Sequence, residues 1–448
     1  MKMRFASLGL LEVCIQHSVK ENNSMKKYFC LLIIAGFYTF ILVTSRSAFA
    51  QEGGSNVSNP FSQSKFVPDI SLIVDFSAVG RDLKNEKYAE LEVPGFLPPR
   101  NSEEESGPNS KNGFNFNYAE MSLYSFVDPY FDLFAVFHLH KEGFEIEEAY
   151  INTQNLPLGI RVRAGKFLSS FGRLNEQHAH YWDFTNKPLV YSGFFGGEGL
   201  NEVGIQMTWL APTPFYLKFG GELLTGDNEA SFGTDGFEDY SGTNKIEESN
   251  APDLFVGYIK SSLDFDRLVA LYGVSFAHGK TRQNEGVDED YPGGVGIYGN
   301  TSIYGGDLTL KYLISSYRYL SLQTEFLYRN LSGDQYDNTG GMMILDKKQS
   351  GLYSQLIYRF SKLWRTGIRY DLLQKNRITS GGISADLPEN MNRYTAMLEY
   401  NPTEFSRLRL QYTRDASGYL DEGGTNKVNN ELILQVNITI GAHGAHSF

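Results

Sequence analysis

The chain has 448 residues and a net charge of −12, with 40 basic and 52 acidic side chains. Its two cysteines, Cys14 and Cys30, lie in the first 50 residues, so the remainder has no thiol for a disulfide, a catalytic nucleophile or a metal ligand. Residues 51–448 hold 34 of the basic and 50 of the acidic residues, and their net charge of −16 argues against nucleic acid as a partner.

The N-terminal region is predicted to precede the folded domain. Residues 25–50 are organised as a secretory signal peptide, with two lysines, an apolar stretch and an A-x-A pattern that ends at Ala50. A transmembrane anchor is the alternative, but the apolar stretch is short for one. Residues 1–24 have no export feature and are interpreted as an extension from a start codon assigned too early. Residues 51–67 are expected to form a short periplasmic segment, and 68–448 a β-barrel.

Sixteen segments alternate apolar and polar residues with a period of two, which predicts β-strands whose two faces meet different surroundings. Most are 10–12 residues long, about what a tilted strand needs to cross a bilayer. They lie at 69–78, 114–127, 131–140, 143–153, 158–167, 202–210, 215–224, 253–262, 267–278, 301–313, 319–329, 350–360, 362–372, 391–400, 406–415 and 431–441.

The last strand separates its faces clearly. Leu432, Leu434 and Ile438 share one face, while Glu431 and Gln435 share the other, with one apolar exception among them. A bare charge that faces lipid near the midplane costs roughly 2–4 kcal/mol, so the charged face is expected to line a lumen. The fold class predicted is therefore all-β: a transmembrane antiparallel up-and-down barrel of about sixteen strands.

Short turns and long hydrophilic loops alternate between these strands, as in a barrel inserted from the periplasm with its long loops outside the cell. The third connection, near 141–143, is the exception because it is short where a long loop is expected. The long loops are predicted at 79–113, 168–201, 225–252, 279–300, 330–349, 373–390 and 416–430.

These features together resemble Gram-negative outer-membrane porins, and more narrowly a porin-like family loosely related to phosphate-selective porins. The segments VPDISLIVDFS, VDPYFDLFAVFHLH and EEAYINTQNLPLGIRVRAGKFLSSFGRLNEQHAHYWDF and the tail GAHGAHSF carry the resemblance. It implies a location in the outer membrane, contact with its lipids, and a homotrimer. It also implies that the barrel-insertion machinery reads the terminal Phe448, although here the tail continues past the last strand. Some relatives are linked to zinc-responsive uptake.

The loop at 168–201 is aromatic and glycine-rich, whereas the other loops are polar. Apolar side chains favour burial, and the lumen offers it, so this loop is predicted to fold inward and narrow the pore. The alternative is a loop that packs across the outer mouth.

Charged residues on the predicted lumenal faces are the candidates for ion selectivity, because opposed rows of charge orient solutes in a narrow pore. Salt bridges that only stiffen the wall are the alternative. The candidates are Arg161, Arg163, Lys166, Arg173, Arg365, Arg369, Arg407, Arg409, Glu145 and Glu147.

Two histidine pairs suggest a metal site. His138 and His140 share one face of a strand, and His178 and His180 lie in the aromatic loop. Neutral imidazoles suit zinc, but three or four ligands must converge, and the pairs are far apart in sequence.

No enzyme motif is present: GxSxG, HExxH and GxxxxGK[ST] are all missing. The function predicted is a non-enzymatic porin that needs no cofactor and passes small hydrophilic solutes or ions. A specific channel for zinc or anions and a structural or adhesive barrel remain alternatives. An energised receptor is disfavoured because about 17 residues, Gln51 to Val67, are too few for a plug domain.

Overall fold

The computed structural model describes residues 68–99, 107–140, 143–240, 242–285, 294–420 and 424–441. All of them belong to one compact unit, residues 63–448. The predictions for the signal peptide, for the N-terminal extension and for Phe448 lie outside the described residues.

Sixteen strands form a closed antiparallel barrel in which each strand pairs with the next along the chain, and the last pairs with the first. The predicted fold is confirmed. The strands are β1 (Asp69–Arg81), β2 (Gly113–Phe126), β3 (Phe131–His140), β4 (Gly143–Thr153), β5 (Ile160–Leu168), β6 (Asn201–Leu210), β7 (Leu217–Leu224), β8 (Leu254–Phe265), β9 (Leu268–Glu285), β10 (Val295–Leu313), β11 (Tyr319–Asp337), β12 (Met342–Arg359), β13 (Trp364–Ser380), β14 (Met391–Thr403), β15 (Ser406–Asp415) and β16 (Asn429–Gly441).

Three small pieces of sheet and four short helical turns decorate the barrel. Ile383–Ser384 adds to the end of β13, Phe237–Glu238 pairs with Lys245–Ile246, and Tyr419–Leu420 pairs with Thr425–Asn426. The helices are α1 (Asn85–Ala89) and α2 (Leu189–Phe195), with 3-10 turns at Pro157–Gly159 and Ala179–Tyr181. Among the described residues, no helix is long and apolar enough to span a bilayer.

The strands from β9 to β13 are longer than predicted, at 17–19 residues each. The loops predicted at 279–300, 330–349 and 373–390 are therefore wrong over much of their length, and only residues 338–341 separate β11 from β12. Where a strand continues beyond the lipid, water meets both of its faces, so alternation fades and the segment reads as a polar loop. The short connection between β3 and β4 is confirmed.

Burial along the strands is inverted relative to a soluble protein. In β16 the side chains of Leu432, Leu434, Ile438 and Ile440 are 44–60% exposed, whereas Glu431, Gln435, Asn437 and Thr439 are buried. The exception is Ile433, which is buried among the polar side chains. The exposed apolar face is the surface that hydrocarbon covers, and the polar face points into the barrel.

Candidate functional site

The residues between β5 and β6, 169–200, lie inside the barrel, and we call them the crossing segment. Its residues are hydrogen-bonded or ion-paired to inward-facing side chains of eleven of the sixteen strands. The partners are Glu120 on β2, Glu148 on β4, Gln206 on β6, Glu222 on β7, Lys260 on β8, Ser275 on β9, Glu325 on β11, Gln355 on β12, Asp371 on β13, Arg393 on β14 and Gln411 on β15.

These contacts lie at one level of the barrel. All the partners except Arg393 are four to seven residues from the end of their strand nearest the short turns. At about 3.3 Å per residue, that is about 13–23 Å along the strand. Because β4 and β12 lie on different sides of a closed ring, a segment bonded to both crosses the interior.

Aromatic side chains anchor the crossing segment. Phe171, Tyr191, Phe194 and Phe195 are fully buried against one another and against apolar residues of the strands. Full burial of one such side chain stabilises a structure by about 1.5–3 kcal/mol, which is why this loop is held inside the barrel. Gly172 has a φ of +64° and sits where a Cβ would overlap the Tyr191 hydroxyl, so only glycine fits this turn.

Buried carboxylates of the wall accept hydrogen bonds from the backbone of the crossing segment. Glu325 accepts from the N–H groups of Arg173 at 2.9 Å and Leu174 at 3.0 Å, and from the Tyr191 hydroxyl at 2.7 Å. Asp371 accepts the Leu189 N–H at 2.9 Å, at the first residue of α2. Such bonds to charged acceptors are about twice as strong as neutral ones, so the backbone of this loop is tightly held.

An arginine cluster holds residues 182–189 of the crossing segment against β13 to β15. Arg365 bridges Asp183 at 2.5 Å and Glu399 at 2.6 Å, and Arg409 contacts the same Glu399 at 2.9 Å. Arg409 also donates to the Trp182 carbonyl at 2.8 Å. These guanidinium groups are therefore engaged in ion pairs. This arrangement matches the alternative given above for these residues, salt bridges that stiffen the wall.

The other predicted selectivity residues are spread over several places. Arg369 pairs with Asp371 at 2.9 Å, Arg407 is buried, and Lys166 lies 3.9 Å from Glu145. Arg161 pairs with Asp132 at 3.0 Å and keeps half of its side chain exposed. Arg173 belongs to the crossing segment, Arg163 and Glu147 lie near it, and all three are described below.

Two cavities lie on the short-turn side of the crossing segment. The larger, about 390 Å³, is bordered by Arg173, Lys218 and Lys260 and by the carboxylates of Glu176 and Asp307. The smaller, about 210 Å³, is lined by Phe134, Glu148, Tyr150, Arg163, Leu168, Glu176 and His178. Glu176 borders both cavities, and Lys260 contacts it. Both cavities therefore combine fixed charges of opposite sign.

On the β2–β4 side of the lumen, away from the arginine cluster, histidines of the crossing segment meet carboxylates of β2 and β4. His178 Nδ1 lies 2.9 Å from a Glu147 oxygen, its Nε2 lies 2.8 Å from Glu148, and His180 Nδ1 lies 3.0 Å from Glu120. His138 of β3 joins them, with its Nε2 2.9 Å from Glu147 and 3.4 Å from Glu120. The structure thus brings together three of the four predicted histidines, while the His140 side chain lies outside the described atoms.

A β-bulge makes this arrangement possible. The register between β3 and β4 skips Glu147, since Val136 pairs with Glu148 and Phe137 pairs with Ile146. Neighbouring residues of a regular strand point to opposite faces, but a bulge redirects one of them. Both glutamates therefore reach the ring of His178 from the same side of the sheet.

The positive charge of this cluster is carried by imidazole rings. Burial lowers the pKa of His178, but the negative charges of Glu147 and Glu120 and the hydrogen bonds of Glu147 and Glu148 outweigh it. The pKa of His178 therefore lies well above its ordinary value. Within the part of the chain that the structure describes, Glu120, Glu147 and Glu148 form no ion pair with lysine or arginine.

Comparison with known proteins gives one clear relative. No protein-family model matches the chain. The chain is similar to the outer membrane channel DcaP of Acinetobacter baumannii (12% identity, 85% of this chain and 99% of that chain, TM-score 0.48) and to the anion-selective porin from Comamonas acidovorans (12% identity, 84% and 100%, TM-score 0.48). An Aquifex aeolicus (strain VF5) protein described as "Uncharacterized protein" is 48% identical over 406 residues, which cover 90% of this chain and 84% of that protein. The chain belongs to the same family as this Aquifex aeolicus protein.

Proposed function

We propose that the protein is an outer-membrane channel through which small hydrophilic solutes or ions diffuse passively. The observation that carries the proposal is the inverted burial of a closed barrel: apolar side chains outside, polar and charged side chains inside. A surface of this kind needs lipid around it, and a closed sheet leaves no unpaired edge in the bilayer. Insertion would use the barrel-insertion machinery, with Phe448 as part of the signal.

The crossing segment is the proposed constriction. It is bonded to strands all round the ring, at a depth of about half the hydrocarbon thickness, so a solute has to pass beside it. The two cavities on its short-turn side are the proposed entrance to that path. Their mixed charges favour polar and ionic solutes over apolar ones.

The cationic border of the larger cavity supports a narrower form of the proposal, a preference for anions. Arg173, Lys218 and Lys260 supply three positive groups there against the two carboxylates of Glu176 and Asp307. Lys260 is itself engaged with Glu176, so Arg173 and Lys218 are the groups that a passing anion is expected to meet.

Single-channel conductance in planar bilayers tests the constriction. The Ser169 N–H donates to the Leu200 carbonyl at 2.9 Å, so the ends of the crossing segment adjoin, and deletion of residues 174–198 leaves a loop that can close. We expect the deletion to raise conductance several-fold because it removes the groups that cross the lumen. Deletion of residues 382–386 is the control. These residues are exposed between β13 and β14 at the rim away from the short turns, and their deletion is expected to leave conductance unchanged.

Two outcomes would contradict the proposal. Conductance that is the same with and without residues 174–198 would remove the crossing segment from the ion path. No conducting steps from either folded protein would remove the channel itself. The homotrimer implied by the porin resemblance has a separate test, the protein mass of the detergent-solubilised complex by light scattering, and a monomer mass would exclude it.

A further inference from the structure

We propose that the cluster formed by Glu120, Glu147, His138 and His178 is a binding site for a transition-metal dication of the zinc class. The ligand atoms of Glu120, Glu147 and His178 all lie within 4.8 Å of one another. The Nε2 atom of His138 faces the same two carboxylates, at 2.9 and 3.4 Å. Three donors therefore converge on one small volume, and His138 lies beside two of them.

The donor set decides the class of ion. An imidazole nitrogen together with two carboxylate oxygens suits Zn²⁺ and its neighbours, whereas Ca²⁺ and Mg²⁺ prefer oxygen ligands alone. The four side chains come from β2, β3, β4 and the crossing segment, so only the folded barrel assembles them. An ion bound by Glu120, Glu147 and His178 would thus join β2 and β4 to the segment that crosses the lumen.

The neighbouring residues orient the ligands. His178 presents Nδ1 to Glu147 and its other nitrogen, Nε2, to Glu148 at 2.8 Å. A carboxylate that accepts from the far nitrogen of a metal-binding histidine fixes its ring and its tautomer, as this arrangement would. Glu120 is held in the same way by His180 Nδ1 at 3.0 Å. The ring of His138 stacks on Tyr118, with centroids 5.3 Å apart.

The charge of the cluster also favours a cation. Elsewhere in the barrel the buried carboxylates of Glu399, Asp371 and Glu431 are paired with arginine. Here three carboxylates meet imidazoles, which would release their protons when a metal binds, and among the described residues no lysine or arginine pairs with them. A buried carboxylate is costly unless it is paired or binds a metal, and a dication would satisfy two of them at once.

The site has a route to solvent. Glu148 and His178 line the cavity of about 210 Å³ on the short-turn side of the crossing segment. An ion that enters this cavity meets His178 without any strand having to separate. The inference about binding does not depend on the proposed channel function, because binding can be measured without conduction.

The test uses the purified full-length barrel in detergent, from which a chelator has removed bound metal. Zinc chloride is titrated into this protein, and isothermal calorimetry measures the binding. We expect one Zn²⁺ per chain, and Glu147→Gln and His178→Gln should each weaken binding at least tenfold. The matched control is His278→Gln, because His278 is an exposed histidine on β9 whose ring contacts Ser302 and Phe276, away from the cluster. It should leave the affinity unchanged.

A second measurement keeps the result interpretable if a variant folds poorly. Co²⁺ added to the wild-type protein should give the intense visible absorption of a tetrahedral site, and Zn²⁺ should abolish it. The inference is overturned if the wild type binds no Zn²⁺, if both variants bind as tightly as the wild type, or if calcium chloride binds equally well. Each of these results leaves the conductance test of the channel untouched.

Discussion

Two flanks of the lumen hold the crossing segment by different chemistry. On the β13–β15 flank, Arg365 pairs with Asp183 of the segment and Arg409 donates to the Trp182 carbonyl, while Glu399 of β14 joins the two arginines. On the β2–β4 flank, His178 and His180 of the segment bind glutamates of the barrel wall. Both flanks pair cations with anions inside the barrel. The difference lies in the cation, since a guanidinium keeps its charge at any pH that the protein meets, whereas an imidazole can lose its proton or bind a metal.

The difference suggests a fixed attachment on one flank and an exchangeable one on the other. An arginine that loses its carboxylate stays charged and unpaired, so separating the ion pairs of the β13–β15 flank costs a large free energy. An imidazole that loses its carboxylate becomes neutral and still accepts or donates a hydrogen bond. Residues 182–189 are therefore expected to stay in place when residues 178–180 are released.

The largest effect is expected from Glu399→Gln. This carboxylate lies between Arg365 and Arg409, and its removal leaves two buried guanidinium groups without their shared partner. We expect a loss of about 3–5 kcal/mol in the free energy of unfolding, as for other buried ion pairs broken on one side. Urea unfolding of the barrel in detergent, followed by tryptophan fluorescence, measures it.

An exposed acidic residue is the control for Glu399→Gln. Glu389 lies 4.0 Å from Arg377, and both side chains are about half exposed or more. Glu389→Gln is expected to change the free energy of unfolding by less than about 1 kcal/mol, because exposed pairs contribute little. Equal effects of the two substitutions would show that the arginine flank is not a fixed attachment.

A smaller effect is expected from Glu147→Gln on the opposite flank. The new amide can still bond to His138 and His178, which can give up their protons, so we expect a loss of about 1–2 kcal/mol. The same unfolding assay, without metal, measures it. A loss as large as that for Glu399→Gln would contradict the contrast between the flanks.

The barrel itself was predictable from the sequence, because lipid and water impose alternation on every residue that spans the bilayer. All sixteen strands were placed, including β16, whose faces differ at nearly every position. The lengths of β9 to β13 were not predictable, because beyond the lipid both faces of a strand contact water. Residues such as Asn330 and Lys348 then look like loop residues, although they pair with each other in β11 and β12.

The candidate site was only partly predictable. His138, His178 and His180 were recognisable as pairs with an i, i+2 spacing, but their convergence depends on a segment that folds back across the barrel. Glu120 and Glu148 were missed because an isolated glutamate on a polar strand face does not differ from any other lumenal residue. The bulge that turns Glu147 toward His178 appears only in the register of β3 and β4.

The smallest effect is expected from Arg173→Ala, which leaves both attachments in place and changes only the path beside them. Arg173 borders the larger cavity, and its N–H group, which an alanine retains, makes the bond to Glu325. Loss of one positive charge should shift the anion-to-cation permeability ratio toward cations by about threefold, as for a change of about half of kT in the local electrostatic energy of a monovalent ion, which acts on anions and cations in opposite directions. Reversal potentials across a salt gradient measure the ratio.

Lys87→Ala is the control, since Lys87 is exposed and lies 2.6 Å from Glu90 in the connection between β1 and β2. If both substitutions shift the ratio equally, the charge beside the crossing segment does not select the ion, and the contrast between the flanks would concern stability alone.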